Sequence, residues 1–158
     1  MRFQDYVIQT TERAVEDLFR TARAVPEDKL NWKPMDNGRS TLSVLQECAQ
    51  FPLIAVPMLL TRQMPPFTHD VMVKAIEERS KWETLEECEE ICRNNSEELY
   101  KAIREFPDSD LQHTIVLPFG GGMVRSMADI MMMHYWNTTY HFGQLNYLQT
   151  LLGDKEMH

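Results

Sequence analysis

Four polar residues that can hold or orient a ligand lie close together near the C-terminus: His134, Asn137, His141 and Gln144. In a helix each residue turns by ~100°, so residues four apart lie ~40° from each other and about one turn along the axis. Asn137 and His141 therefore share one face, with Gln144 one turn further on. A histidine beside polar neighbours on an inward face can bind a divalent metal. The alternative is a histidine at the edge of the core, satisfied by a hydrogen bond.

His134 and the cysteine pair are poorer metal ligands on spacing alone. His134 precedes His141 by seven residues, which places the two rings only ~20° apart in angle but ~10 Å apart along the axis. Two imidazole nitrogens cannot easily close that gap on one zinc ion at ~2.1 Å. We therefore expect His134 to support the site from outside the ligand set, or to lie in the core. Cys88 and Cys92, four apart, are expected to be small buried hydrophobic residues.

Composition excludes several broad classes of protein. The chain has 158 residues, a length that predicts one domain over residues 1–158, and 43% of them are apolar. A net charge of −8 argues against nucleic-acid binding, because an acidic surface repels phosphate. The longest apolar stretch, Phe51 to Leu60, is shorter than the ~20 residues of a membrane span. Three cysteines and no signal peptide predict a cytoplasmic protein with reduced thiols, and no organic cofactor is evident.

Hydrophobic periodicity and punctuation by proline predict a helical protein. The predicted helices run from about Phe3 to Ala24, from Ser40 or Thr41 to Met64 with kinks at Pro52 and Pro57, from Thr84 to Pro107, and from Ser126 to about Leu152. Residues 67–82 form a long, irregular connection with room for a short helix. The segments Thr114–Leu117 and Met123–Val124 flank a glycine-rich turn and predict a short β-hairpin. The fold class is thus all-α, a four-helix bundle with a β-hairpin before the last helix.

Three stretches spanning nearly the whole chain resemble the DinB-like (DinB/YfiT) superfamily of metal-dependent four-helix proteins. The start of the second helix reads VPEDKLNWKPMDNGRSTLSVLQECAQF. The hairpin and the entry to the last helix read TIVLPFGGGMVRSMADIMMMH, and the last helix ends in NTTYHFGQLNYLQTLLG. The order and spacing of these stretches make the resemblance specific.

The resemblance implies a pocket that holds a divalent metal, commonly through three histidines. Carried over residue by residue, the histidine of the second helix falls on Cys48, and the histidine pair of the last helix falls on Asn137 and His141. Only His141 is retained. A Cys48 thiolate is a good zinc ligand, whereas the neutral amide of Asn137 is a weak ligand for zinc or nickel. Gln144 would orient His141 from outside the ligand set.

Two functions remain open at this point. Some members of the superfamily are thiol S-transferases, which use a metal to lower the pKa of a small-molecule thiol and present it to an electrophile. The alternative is a dimeric bundle without a metal that serves as a binding or interaction module. The substituted ligand positions favour the second function, and the intact end His141 to Gln144 favours the first. The sequence identifies no catalytic residue.

The run Met131–Met133 predicts a partner for the last helix. Three consecutive apolar residues cover more than half of the circumference of a helix, so one of them must face a second apolar surface or water. A well-buried central helix is the alternative interpretation. The resemblance also implies a homodimer, so we expect a homodimer, with no nucleic acid and no membrane as partners.

Overall fold

The computed structural model describes residues 1–158, which form six α-helices and one antiparallel pair of strands. In chain order the elements are α1 (Phe3–Arg23), α2 (Thr41–Gln50), α3 (Pro52–Thr61), α4 (His69–Arg79), α5 (Leu85–Glu105), β1 (Thr114–Leu117), β2 (Met123–Ser126) and α6 (Met127–Leu151). Four helical columns, namely α1, α2 with α3, α5 and α6, make a bundle. This arrangement confirms the predicted all-α four-helix bundle with a hairpin before its last helix.

Side-chain caps set the beginnings of the long helices, as the sequence predicts. The hydroxyl oxygens of Ser40, Thr84 and Ser126 accept hydrogen bonds from the backbone N–H three residues later, which satisfies donors that a helix start leaves free. Asp129 completes a reciprocal capping box with Ser126. The Glu87 carboxylate accepts a hydrogen bond from the backbone N–H of Glu83 at 2.9 Å, one residue before the cap.

The second predicted helix is divided in two at its first proline. Pro52 has no N–H to give to the carbonyl oxygen of Cys48, so the helix breaks at Phe51, and that carbonyl accepts the Cys92 thiol at 3.6 Å instead. Pro57 lies inside α3 without ending it. The stretch Thr41–Thr61 is long and apolar enough to cross a membrane, but half of its most apolar part is buried inside the bundle. A helix in the core of a bundle has the same length and composition.

The helical columns enclose two groups of buried apolar side chains. Column α1 packs against α5 and α6, and α2 with α3 packs against the same two helices. Leu18, Phe19 and Leu45 belong to one group and Met58 and Ile130 to the other, all of them nearly inaccessible to water. Burial of each such side chain contributes about 1.5–3 kcal/mol. All three cysteines are free and buried, which agrees with the predicted role of Cys88 and Cys92 as small apolar residues.

The side chains of the methionine run Met131–Met133 pack mainly against the core rather than facing a partner. Met131 is fully buried, and Met132 and Met133 are partly buried against the same apolar group. The exposed large hydrophobic side chains of α6 are instead Trp136, Tyr140, Tyr147 and Leu151, with accessible fractions between 43% and 65%. The exposed apolar surface of α6 therefore lies in the turns that follow the methionine run.

Helix α4 occupies the long connection and contributes no buried residue. Thr68 caps its start. Among its apolar side chains, Val71, Met72, Val73 and Ile76 are between 37% and 51% exposed. Among the helices, α4 packs mainly on α2. It therefore lies on the outside of the bundle as a loosely held cover.

Candidate functional site

The middle of the bundle brings an acidic residue of α2 to the polar face of α6. The Glu47 Oε1 atom lies 3.1 Å from the His141 Nε2 atom, and the Asn137 Nδ2 atom lies 3.5 Å from the same oxygen. The other ring nitrogen of His141, Nδ1, lies 2.7 Å from the Gln144 Oε1 atom. Both ring nitrogens of His141 thus lie within hydrogen-bond distance of a side-chain oxygen. The Gln144 side chain is therefore placed where it can orient the His141 ring.

Two arginines approach the second oxygen of Glu47. The guanidinium group of Arg39 lies 2.7 Å from Glu47 Oε2, and that of Arg79 lies 3.5 Å from it. The hydrogen bond from His141, together with the one from Arg39, lowers the pKa of Glu47 to about 2, although burial opposes the shift. Glu47 is therefore an anion throughout the physiological range. We call Glu47, His141, Arg39 and Arg79 the ionic centre; its two guanidinium groups outnumber its one carboxylate.

The contact of the second helix with His141 is made one residue earlier than the sequence predicts. Cys48 is fully buried among apolar side chains, and Glu47 makes the contact instead. Burial raises the pKa of the Cys48 thiol well above its ordinary value, so the thiol stays protonated, whereas zinc binds thiolate. The assignment of Cys48 as a metal ligand stays a prediction, and the geometry favours Glu47 in its place.

Asn137 lies at the ionic centre, while His134 belongs to the core. The Asn137 Oδ1 atom is buried and has no hydrogen-bond partner. The His134 Nε2 atom lies 3.0 Å from the Ser96 hydroxyl, and its Nδ1 atom lies 3.4 Å from the Thr138 hydroxyl. Burial lowers the pKa of His134 from 6.5 to about 3, so the ring is neutral. Of the two roles predicted for His134, the structure shows the core role.

Three members of the ionic centre, Glu47, Arg39 and Arg79, are not predicted from the sequence. For Glu47 the sequence does contain a signal. Glu47 is the only charged residue between Thr41 and Thr61. A lone carboxylate in an otherwise uncharged, half-buried helix needs a partner, because burying an unpaired charge is costly. Arg39 and Arg79 lie in a loop and at the end of α4, where an arginine is ordinary.

The residues at this centre fit a tightly held zinc or nickel ion poorly. The nearest donors are Glu47 Oε1, His141 Nε2 and the amide of Asn137, of which only the imidazole is a nitrogen that these metals prefer. No group of three or more His, Cys, Asp and Glu residues converges anywhere in the chain. A divalent cation would also stand beside Arg39 and Arg79, whose positive charges oppose it.

Three cavities open around the ionic centre. One of about 500 Å³ includes Glu47 and Arg79, one of about 350 Å³ includes Asn137, and one of about 400 Å³ includes Arg39 and Gln144. A larger cleft, of about 570 Å³, lies between the end of α1 and the start of α5 and contains none of these residues. The ionic centre is therefore reachable by small molecules, and volumes of this size suit them.

Comparisons with known proteins bear on the fold. The sequence matches no protein-family model, and no curated protein is similar to it in sequence. Among solved structures, the chain is similar to YfiT from Bacillus subtilis, a probable metal-dependent hydrolase with an unusual four-helix bundle topology. The TM-score is 0.77 at 14% identity, over 96% of this chain and 89% of YfiT.

A second similar structure is that of the mycothiol-dependent maleylpyruvate isomerase. Its TM-score is 0.71 at 10% identity, over 92% of this chain and 63% of the isomerase, so this chain spans less than two thirds of that protein. A variant of the same isomerase matches with a TM-score of 0.68. These comparisons show that the chain shares the four-helix-bundle fold of these proteins, which is the fold that the predicted resemblance implies.

Proposed function

We propose that this protein is a small-molecule-binding bundle in which an ionic centre takes the place of a metal, in contrast to YfiT, a probable metal-dependent hydrolase of similar fold. The single observation that supports this most is the position of Glu47, which is held by His141 on one oxygen and by Arg39 and Arg79 on the other. Protein groups already neutralise the carboxylate that would have to serve as a ligand. The surrounding cavities remain available for a ligand.

The ionic centre and its two polar neighbours, Asn137 and Gln144, have distinct roles in this proposal. Gln144 orients the His141 ring, and His141 and Arg39 hold Glu47 in one position. Asn137 offers an unpartnered acceptor, its buried Oδ1 atom, to a ligand that can donate a hydrogen bond. The centre is thus rigid and polar, at the meeting point of three cavities.

A metal analysis tests the proposal. Protein purified without a histidine tag is expected to carry substoichiometric zinc and nickel, and a chelator is expected to leave its thermal unfolding midpoint unchanged, because no native ligand set is lost. Elemental mass spectrometry measures the zinc and nickel content, and a thermal denaturation scan measures the unfolding midpoint. The proposal fails if one equivalent of metal per chain copurifies and is lost when Glu47→Ala or His141→Ala is introduced.

The second candidate function is metal-dependent transfer of a small-molecule thiol to an electrophile. One observation favours it. The Nδ1 atom of His141 lies 2.7 Å from the Gln144 Oε1 atom. A ring that donates its Nδ1–H in this way can direct its Nε2 lone pair toward a metal. The same metal analysis separates the two functions, because this candidate needs the stoichiometric metal that the first one excludes.

We also propose that the protein is a homodimer. Trp136, Tyr140 and Tyr147 are spaced by four and seven residues, so they share one face of α6, and each is more than two-fifths exposed. Light scattering at micromolar concentration is expected to give twice the chain mass of 18.6 kDa. The double variant Tyr140→Glu with Tyr147→Glu is expected to give the single mass. A parent protein with a mass near 18.6 kDa would contradict the proposal.

A further inference from the structure

The cavity of about 500 Å³ is apolar along most of its wall and polar at one end. Its walls come from α3, from α4, from the loop that joins them, and from the hairpin and α6. Of the 17 residues that line it, 11 are hydrophobic, three are prolines, and only Glu47, Gln50 and Arg79 are polar. A ligand that fills this space must therefore have an apolar body, with its polar group directed to one end.

Among the three polar residues, Arg79 alone is a cation with free hydrogen-bond donors. The Gln50 amide donates to the carbonyl oxygen of Ala75 at 2.8 Å. Glu47 is held on both oxygens, by His141 at 3.1 Å and by Arg39 at 2.7 Å. The Arg79 guanidinium group has five donors, but its one ionic contact in the structure is with Glu47 at 3.5 Å.

The environment of Arg79 strengthens its attraction for an anion. The side chain is only 21% exposed, so an ion pair formed there is screened less than one at the surface. Glu47 cannot neutralise the charge of Arg79 fully, because its carboxylate also forms an ion pair with Arg39. The surplus at the end of the cavity is about one positive charge, which matches a monoanion better than a dianion.

We propose that this cavity binds a small carboxylate with an apolar body, and that Arg79 recognises the carboxylate. The planar guanidinium fork matches the two oxygens of a carboxylate, which favours this group over a neutral one. Helix α4 forms the outer wall and carries no buried residue, so it can move outward to admit the ligand. The inference deepens the proposed ligand-binding function and rests on it.

Octanoate and octanol are a matched pair of probes, because they share an apolar chain and differ in charge. Titration calorimetry is expected to show octanoate binding about tenfold more tightly than octanol, as for a hydrogen bond to a charged group. Arg79→Gln is expected to remove that difference without weakening octanol. Arg104→Gln, which removes an exposed arginine of α5, is the control and is expected to change neither affinity.

Filling the cavity tests the apolar part of the site. Ala75→Trp places a large side chain on the inner side of α4, and it is expected to abolish binding of both probes. Because α4 has no buried residue, the fold is expected to persist, which circular dichroism checks.

Three results would overturn the inference. Equal affinities for the two probes, or octanoate binding that survives Arg79→Gln, would show that Arg79 recognises no anion. If neither probe binds, the cavity is not a ligand site. If, in addition, Ile76→Glu converts a dimer to a monomer, a second copy of the chain covers this face. Failure of the proposed function is distinguishable, because it appears as stoichiometric metal rather than as lost discrimination between octanoate and octanol.

Discussion

Asn137→His is expected to raise the affinity for zinc by at least about tenfold, or ~1.4 kcal/mol. The side chain of residue 137 already reaches Glu47 Oε1, and its position is one helical turn before His141. The substitution therefore completes a set of two imidazoles and one carboxylate, which is a known zinc ligand set. Calorimetric titration of zinc into the parent and the variant measures the change.

The matched control is Asn146→His, which adds a histidine to the same helix away from the ionic centre. Its parent side chain bonds the carbonyl oxygen of Phe142, so no donor of the centre is altered. Zinc affinity is expected to stay at the parent value. An Asn137→His protein that binds zinc no better than this control would mean that the side chains at positions 47, 137 and 141 do not converge as the structure shows.

His134 is expected to make the protein acid-sensitive. Burial lowers its pKa from 6.5 to about 3, so between these pH values the unfolded chain binds a proton that the folded chain does not. The stabilising contribution of the neutral ring is complete above pH 6.5 and is lost as the pH falls below it. At pH 4.5 the loss amounts to about 2–3 kcal/mol of unfolding free energy, at ~1.4 kcal/mol per pH unit.

His134→Gln isolates this contribution, because glutamine can still bond Ser96 but has no proton to gain. Urea unfolding at pH 7 and pH 4.5 gives the free energies of both proteins. The variant is expected to lose about 2–3 kcal/mol less than the parent over this range, since their carboxylates titrate alike. Equal losses would show that His134 is protonated in the folded protein or accessible to water.

The local sequence determined most of the secondary structure, because the signals that begin and end helices are local. The caps Ser40, Thr84 and Ser126 each lie immediately before a helix. Pro52 predicted a kink in the second helix, and the structure has a full break there, since proline lacks the donor that the helix needs. The pairing of His141 with Gln144 was predictable for the same reason, because both lie on one helix at a fixed spacing.

Only the tertiary structure decided which residue of α2 meets His141. Glu47 and Cys48 are adjacent, and one step along a helix rotates a side chain by ~100°. The apolar residues of α2 lie on one side of it, with Cys48 inside that stripe and Glu47 just beyond its edge, but this periodicity does not say which helix packs against that edge. Arg79 likewise arrives from α4, 32 residues along the chain from Glu47. Contacts between distant segments depend on how whole helices pack, and no local pattern in this sequence records that packing.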